Sequence, residues 1–489
     1  MSRSYRIIAL SLLMGCGSNS EQPAATDSAQ VAVEAEDPVV MDKACTEVKP
    51  GWNLSFDSSY TDSNEQLAGG SEILHLVNHN GSLFAASGYW MDGNNIWYGG
   101  TDHTIGWAQV LRLDEPYGQW QVDHNMGRFH LRPEILKEIT FTTDGRGATL
   151  DEPVSLLVAS AYSVFTGDVV VHSFTRIDST GGWEESEIFS GPPPGGENYS
   201  VRGVHVHKDS VTGIDRVFVT IGTQGIFAGV YDPDAAGKIL WGKEPELGPL
   251  KIRPLAVVEA NGSLFFSSGK TIYKRNDGET PTYTIVHDMS DLQLVVSSPV
   301  GGIRGLTPIP NPNGFGDSLI FVWSPNGKSQ GHIFRLDPNG DNAFTRHEET
   351  VLADLIADYL PGAQAIYVLA AYNDFISVTD PTTGKAKQMV GFEAIITGDH
   401  PKWENFYKGA MYAIRDENQN YTVTEVNGRS DTEKPALVAP RAYALSPFEH
   451  CDDKQVIFFG GHDANFRPSK DMAWIYSTAL DNALNVISP

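Results

Sequence analysis

The stretch KIRPLAVVEANGSLFFSSGKTIYKRND, residues 251–277, shows a pattern that the chain repeats. Residues 200–233 and 301–338 follow the same order: an arginine beside glycine or proline, an apolar strand, a polar turn, a second apolar strand ending in small residues, and a third strand. Short strands rich in β-branched and aromatic residues, bounded by turn residues, are typical of all-β folds. Repetition at a period of roughly 50–65 residues indicates a stacked or radial array. With four strands in each unit, the sequence predicts a β-propeller.

Seven such units can be counted, which predicts a seven-bladed ring. The last unit supplies three strands, whereas GWNLSFDSSY at residues 51–60 is a lone strand that resembles the fourth strands of other units. We therefore expect this N-terminal strand to complete the last blade and close the ring. Six blades is the alternative count, because the sixth unit (about 361–427) is irregular; the segment 351–360 has a helical pattern. The units start at Glu72, Glu134, Arg202, Arg253, Arg304, about Gln364 and Arg441.

The composition limits the classes of function. The chain has 489 residues, of which 41% are hydrophobic and 20% are charged, so it can bury a large core. Its formal net charge of −26 repels nucleic acids and anionic membrane surfaces. We therefore expect no nucleic-acid partner, and we expect a monomer.

The first twenty residues, MSRSYRIIALSLLMGCGSNS, have two arginines followed by a short apolar run, as in a secretion signal. The run ends in Leu-Met-Gly-Cys and resembles the lipobox of bacterial lipoproteins. That resemblance implies cleavage before Cys16, lipid attachment to its sulfur and an outer-membrane location facing the periplasm or the cell surface. An ordinary signal peptide is the alternative. We expect a signal peptide at 1–15, a flexible acidic tether at 16–48 and the propeller at 49–489.

Two further cysteines, Cys45 and Cys451, lie at opposite ends of the predicted propeller. In an exported protein an even number of remaining cysteines favours a disulfide. A bond between them would hold the two ends of the chain together, whereas two separate buried thiols are the alternative.

Four arginines begin inner strands of the predicted ring and should therefore point towards one axis. Guanidinium groups that converge in this way need anions between them. The anions could be protein carboxylates such as Glu72, Glu134 or Asp463, which would make a structural ring of ion pairs. Alternatively, the arginines form a socket for an anionic ligand, since their planar forks match carboxylate and sulfate groups. These arginines are Arg202, Arg253, Arg304 and Arg441.

The loop at 88–106 is long and rich in aromatic residues, and it should reach the same channel mouth. Trp90 and Trp97 could stack on sugar rings, and His103 lies in the same loop. We predict catalytic roles for His103, His124, Tyr162 and Arg202. We predict ligand-binding roles for Arg253, Arg304, Arg441, His462, Trp90 and Trp97.

Two functions from different classes fit these residues. The first is eliminative cleavage of a uronic-acid or sulfated polysaccharide, in which a cation neutralises the carboxylate and a histidine or tyrosine removes the α-proton. The arrangement resembles that of the propeller-type polysaccharide lyases, such as ulvan lyases, and this resemblance implies histidine, tyrosine and arginine at the channel mouth. The second is a non-catalytic binding or scaffold protein at the outer membrane, similar to the lipid-anchored propeller of the β-barrel assembly machinery. The expected partners are therefore an anionic glycan or another small anion, and membrane lipid through Cys16.

We expect no cofactor. His205 and His207 are spaced like metal ligands on one strand face, but no acidic or thiol partner lies nearby in the sequence. Residues 337–348 have acidic residues at intervals that suggest a Ca²⁺ loop, but the glycine position and the absence of flanking helices favour a hairpin turn. Zinc and calcium are thus the weaker alternatives.

Overall fold

In the computed structural model, the described part of the chain begins at Cys45 and consists mainly of short β-strands. Within this part, no helix is both long enough and apolar enough to cross a bilayer. The described residues are 45–90, 95, 106–127, 129–163, 168–192, 199–292, 301–324, 331–340, 342–369, 374–400, 402–403, 406–426, 437–462 and 472–485.

Three short strands come first: β1 (Asn53–Asp57), β2 (Tyr60–Thr61) and β3 (Leu67–Ala68), of which β2 and β3 form a hairpin. Five antiparallel sheets follow, each with four strands paired in sequence order. They are β4 (Glu72–His79), β5 (Ser82–Gly88), β6 (Gln109–Leu113) and β7 (Gln121–Asn125); β8 (Ile135–Thr143), β9 (Thr149–Tyr162), β10 (Val169–Ile177) and β11 (Gly182–Gly191); β12 (Val201–Lys208), β13 (Asp215–Ile221), β14 (Gly225–Tyr231) and β15 (Ile239–Trp241); β16 (Pro254–Ala260), β17 (Ser263–Ser268), β18 (Thr271–Asn276) and β19 (Thr282–Asp288); and β20 (Gly302–Pro310), β21 (Asp317–Ser324), β22 (His332–Pro338) and β23 (Phe344–Val351).

The sixth and seventh sheets also have four strands, which makes the predicted count of seven blades correct. The helix α1 (Leu352–Tyr359) comes between the fifth and sixth sheets, where the sequence predicts it. The later elements are β24 (Ala365–Leu369), β25 (Ile376–Thr379), β26 (Ala386–Gly391), β27 (Glu393–Ile396), β28 (Lys402–Trp403), β29 (Phe406–Tyr407), β30 (Met411–Arg415), β31 (Tyr421–Glu425), β32 (Ala439–Leu445), β33 (Val456–His462), β34 (Trp474–Ala479) and α2 (Leu480–Leu484). Short 3-10 helices lie at Gly222–Gln224, Ala236–Lys238 and Cys451–Asp453.

The irregularity of the sixth unit has a structural reason. Its blade is β25-β26-β30-β31, while β24, β27, β29 and β28 form a separate small sheet. The apolar stretch after Gln364 is therefore a strand, but it belongs to the small sheet and not to the blade. The first strand of the blade begins at Ile376. The predicted start at about Gln364 was wrong because β24 pairs with β27, which occurs later in the chain than β25 and β26.

The ring closes as predicted. Strand β1 pairs antiparallel with β34, with Asn53 opposite Ser477 and Asp57 opposite Trp474, so the N-terminal strand is the fourth strand of the last blade. A disulfide joins Cys45 to Cys451, as predicted.

The hydrophobic core is divided among the interfaces between neighbouring sheets. One cluster, for example, combines Val158 and Val171 of the second sheet with Val217 and Phe227 of the third. Because both faces of a blade are covered, its middle strands are apolar without alternation, as in β21, where the seven residues from Ser318 to Ser324 are all buried. This packing leaves the first strand of each blade at the central channel.

Candidate anion-binding site at the channel entrance

The two ends of the ring differ in chemistry. We call the end at which the first strands begin the entrance end, and the opposite end the far end. Cys451 lies in the hairpin that follows β32, the first strand of the last blade. Because first strands run from the entrance end to the far end, this hairpin and its disulfide lie at the far end. The repeated arginines lie at the entrance end.

The backbone explains why the arginine recurs at this place. Five of the first strands shift register within their opening residues, and such bulges redirect side chains. Arg202 and Arg441 lie inside two of these shifts, and Arg304 is the last paired residue before another. Gly203 follows Arg202 because a Cβ there would come within 2.9 Å of the Val257 amide nitrogen of the next blade. The shifts lie at Ile73/His75, Val201/Val204, Pro254/Ala256, Arg304/Thr307 and Pro440/Ala442.

Buried carboxylates join several of these arginines. Arg132 Nε lies 2.6 Å from Glu134 Oε1, and its Nη1 lies 3.7 Å from Glu72 Oε1. Arg441 also forms an ion pair with Glu72, and Arg202 Nη1 lies 3.6 Å from Glu134 Oε2. All five side chains are at most 5% exposed. Glu72 and Glu134 therefore act as two of the predicted protein counter-ions; the third, Asp463, lies outside the described residues.

The small sheet of the sixth unit contributes a further carboxylate. Glu393 on β27 lies 3.7 Å from Arg441 Nη2 and 3.4 Å from His462 Nε2. Burial, together with the charge of Arg441, lowers the pKa of His462. His462 therefore contacts both Glu393 and Arg441. No motif in the sequence pointed to Glu393.

We call Arg132, Arg202, Arg253, Arg304 and Arg441 the arginine cluster. Arg253 Nη1 donates a hydrogen bond to Ser200 Oγ at 2.9 Å. Arg304 borders a small cavity of about 60 Å³ together with Arg202, Glu134, His75 and Asp374. Guanidinium groups from two blades therefore face one small space.

A larger cavity of about 360 Å³ occupies the channel and is lined by first strands of six blades. Arg202 and Arg441 line it together with Lys137 and Asp374, among many apolar residues. Lys137 Nζ donates to the Val204 carbonyl oxygen at 3.1 Å. Burial lowers the pKa of Lys137 and raises that of Asp374, while their opposite charges partly counteract both shifts.

His75 is a second histidine beside the arginine cluster, on the side of Arg202. Its Nε2 lies 3.0 Å from the Glu134 carbonyl oxygen, which can only accept a hydrogen bond, so Nε2 carries the proton and Nδ1 the lone pair. Burial lowers the pKa of His75 to about 4. At neutral pH the side chain is therefore an uncharged proton acceptor beside Arg202. No sequence pattern singled out His75, because it follows a bulge and matches no motif.

Other residues predicted for the site are distributed differently. His124 lies near the entrance end but on the outermost strand of the first blade, where its ring stacks on Trp183 at 5.2 Å. Tyr162 is 4% exposed and packs in the core between the second and third blades. The Arg132 guanidinium lies over the Trp90 ring, 4.6 Å from the centroid of that ring. His103, Trp97 and Cys16 lie outside the described residues, and the predicted roles of all six stay predictions.

His207, one of the two histidines with metal-like spacing, contacts two carboxylates. His207 Nδ1 lies 2.8 Å from Glu259 and its Nε2 lies 3.0 Å from Asp277, both in the next blade. Over the described ranges, no group of three or more histidine, cysteine, aspartate or glutamate residues is placed to hold a metal ion.

The buried histidines make stability depend on pH. Because burial holds the pKa of each below the ordinary value of 6.5, the unfolded chain takes up protons first as the pH falls. Stability should therefore decrease from pH 6.5 towards pH 4.5, by about 3 kcal/mol or more in total. Denaturant unfolding across this range measures it, and His130→Gln should reduce the slope; a flat profile would contradict the prediction. The pKa is lowered to about 4 for His75, His124 and His130 and to about 3 for His205.

Comparison with known proteins gives no family assignment. No protein-family model matches the chain, and no curated protein matches it.

Solved structures match it at low similarity. An α-L-arabinofuranosidase from Fusarium graminearum, in complex with an iminosugar inhibitor, is 9% identical with a TM-score of 0.42, covering 90% of this chain and 100% of its own. A gluconolactonase from Xanthomonas campestris is 10% identical with a TM-score of 0.31, covering 66% and 89%. The WD40 domain of SCAP from fission yeast is 7% identical with a TM-score of 0.36, covering 88% and 98%. With every TM-score below 0.5, these likenesses carry no argument about activity.

Proposed function

We propose that the protein binds the carboxylate or sulfate group of an acidic carbohydrate at the entrance of its central channel. The observation that carries the proposal is the set of charges on the cavity walls. Arg202, Arg304, Arg441 and Lys137 line the two cavities, against the carboxylates of Glu134 and Asp374. The buried ion-pair partners of these residues add Arg132, Glu72 and Glu393, so five cations meet four acidic groups. A local surplus of one positive charge therefore remains in a chain whose formal net charge is −26. A site of this sign attracts an anion.

Burial makes this attraction strong. Arg202 and Arg441 have side chains that are 4% and 5% exposed, so a ligand that reaches them leaves bulk water behind. Hydrogen bonds between guanidinium and carboxylate or sulfate oxygens are charge-assisted and directional. The ion pairs with Glu72 and Glu134 hold the guanidinium groups in place before a ligand arrives.

Eliminative cleavage of the bound chain is the second candidate, favoured by the position of His75. His75 lines the cavity that Arg202, Arg304 and Asp374 also border. His75 would take the proton α to the neutralised carboxylate, and a carbon–carbon double bond would form as the carbon–oxygen bond to the leaving sugar breaks. The protonated form of Asp374, which burial favours by raising its pKa, would give its proton to that oxygen. A pKa of about 4 makes His75 a weak base, so binding without turnover is the first candidate.

Anchoring through Cys16 is part of the same proposal. A lipid-anchored tether would join the propeller at Cys45, which the disulfide fixes at the far end. The channel entrance would then open at the end opposite to the attachment. Incorporation of labelled fatty acid into the wild-type protein but not into Cys16→Ala would support the anchor, and equal labelling would overturn it.

Calorimetric titration of the purified protein with glucuronate, galacturonate and sulfated oligosaccharides tests the binding site. Arg202→Gln should weaken binding of the acidic sugar about tenfold to a hundredfold, since it removes charge-assisted hydrogen bonds. The matched control is Arg112→Gln, the same change of charge at a half-exposed position, where Arg112 pairs with Asp114 and Asp123. The control should bind as the wild type does.

The same samples distinguish the alternatives. New carbon–carbon double bonds, detected by ultraviolet absorbance and lost in His75→Ala, would establish elimination. If the wild type binds no acidic sugar, and Arg202→Gln only lowers stability, the arginines are structural. The protein would then be a scaffold, and the proposal would be overturned.

A further inference from the structure

The segment between the first and second blades crosses the entrance end along a radius of the ring. Strand β7 is the outermost strand of the first blade and ends at Asn125, whereas β8 lines the channel and begins at Ile135. The residues between them therefore lead from the outer rim to the channel. Three strand spacings separate these edges, so the path is about 14 Å long.

Aromatic side chains mark the outer part of this path. The rings of Trp107 and Phe129 meet edge to face, with centroids 5.8 Å apart. Both side chains are half-buried, and Trp107 packs with Trp90 on the buried pair Tyr89 and Leu131. The path thus has an apolar base and partly open aromatic faces above it.

A cationic group, the guanidinium of Arg132, marks the inner part. The Arg132 guanidinium lies 4.6 Å from the centroid of the Trp90 ring. It also pairs with Glu72 and Glu134, the carboxylates that pair with Arg441 and Arg202. Along the radius, aromatic surface therefore gives way to positive charge over a few residues. We call Trp107, Phe129 and Trp90 the aromatic row.

The backbone at Phe129 supports a role beyond core packing. Its φ is +80°, in the left-handed region that bulky residues seldom adopt. Such conformations persist where the surrounding structure holds them, and they are concentrated at ligand sites. Here the conformation keeps an aromatic ring against Trp107 at the outer end of the row.

We propose that the aromatic row is a subsite for the sugar rings that precede the acidic residue held by the arginine cluster, so that the ligand is an oligosaccharide lying along this radius. The inference rests on the proposed function. The apolar faces of pyranose rings fit aromatic side chains, and the charged end fits the arginines. A path of about 14 Å accommodates roughly three sugar rings.

Titration with galacturonic acid and its oligomers of two, three and four residues tests the inference. The wild-type affinity should rise about tenfold or more from the monosaccharide to the trisaccharide and then level off. Trp107→Ala and Phe129→Ala should remove most of this gain and leave the affinity for the monosaccharide unchanged. Trp107→Phe keeps an aromatic face and should retain part of the gain, which guards against loss through misfolding.

Phe315→Ala is the matched control, because Phe315 is fully exposed in the hairpin between β20 and β21, at the far end. It should bind oligomers of every length as the wild type does. If the wild type binds the monosaccharide without any dependence on length, or if Trp107→Ala keeps the full gain, the aromatic row is overturned while the arginine site stands. If the wild type binds no acidic sugar of any length, both are overturned.

Discussion

Glu349→Ala should lower the free energy of unfolding by about 3–5 kcal/mol, because it leaves two buried guanidinium groups without their shared carboxylate. Glu349 on β23 accepts hydrogen bonds from Arg415 at 2.6 and 2.9 Å and from the Tyr421 hydroxyl at 2.5 Å. It also pairs with Arg335. Arg415 and Tyr421 belong to the sixth blade, whereas Arg335 and Glu349 belong to the fifth. The carboxylate thus joins two blades across their interface.

The pKa of Glu349 reflects the same balance. Burial alone would raise it, but the hydrogen bonds from Arg415 and Tyr421 and the positive charges of Arg415 and Arg335 together outweigh burial and hold the pKa below its usual value. The group is therefore ionised throughout the neutral range, and the full effect of its removal should appear at pH 7.

Urea unfolding at pH 7 measures the change, with Glu348→Ala as the control. Glu348 is the preceding residue, but its side chain is 47% exposed and pairs with His332 at the surface. Its replacement should change stability by less than about 0.5 kcal/mol. Equal effects from the two variants would show that the buried network does not hold the blades together.

Phe56→Ala should lower the free energy of unfolding by about 3–5 kcal/mol through the cavity that it leaves. Phe56 is 1% exposed and lies on β1, the strand that completes the last blade. Its ring meets Trp120 of the first blade at 6.4 Å and Tyr60 at 5.8 Å. The side chain therefore packs across the place where the ring closes.

Leu54→Ala on the same strand is the control, because Leu54 is 47% exposed and its loss should change stability little. Thermal and urea unfolding of the two variants provide the comparison. A loss for Phe56→Ala no larger than that for Leu54→Ala would contradict a structural role for the closing strand.

Local sequence patterns were sufficient to predict the architecture. Each strand signal, such as SLFFSS at 263–268, depends on residues that are neighbours in sequence, and the repeat multiplies that signal seven times. The missing fourth strand of the last unit and the lone strand at 51–60 could be matched for the same reason. Two cysteines at the two ends of the ring completed that prediction.

The site was predicted only in part. The repeat located Arg202, Arg304 and Arg441, because their backbone position recurs in each unit. Arg132 and Glu393 were missed, because the first lies in a radial connection and the second in the small sheet of the sixth unit. Neither position recurs, so the repeat carries no information about them.

The sequence by itself determined the strands, their number in each blade and the closure, because these follow from short-range periodicity and from repetition. Only the tertiary structure decided which charges meet, because first strands far apart in the chain converge on one axis once the ring closes. Glu72 and Arg441 form an ion pair although 369 positions separate them. His75 next to Arg202, and Trp107 against Phe129, likewise depend on how neighbouring elements pack and not on local sequence.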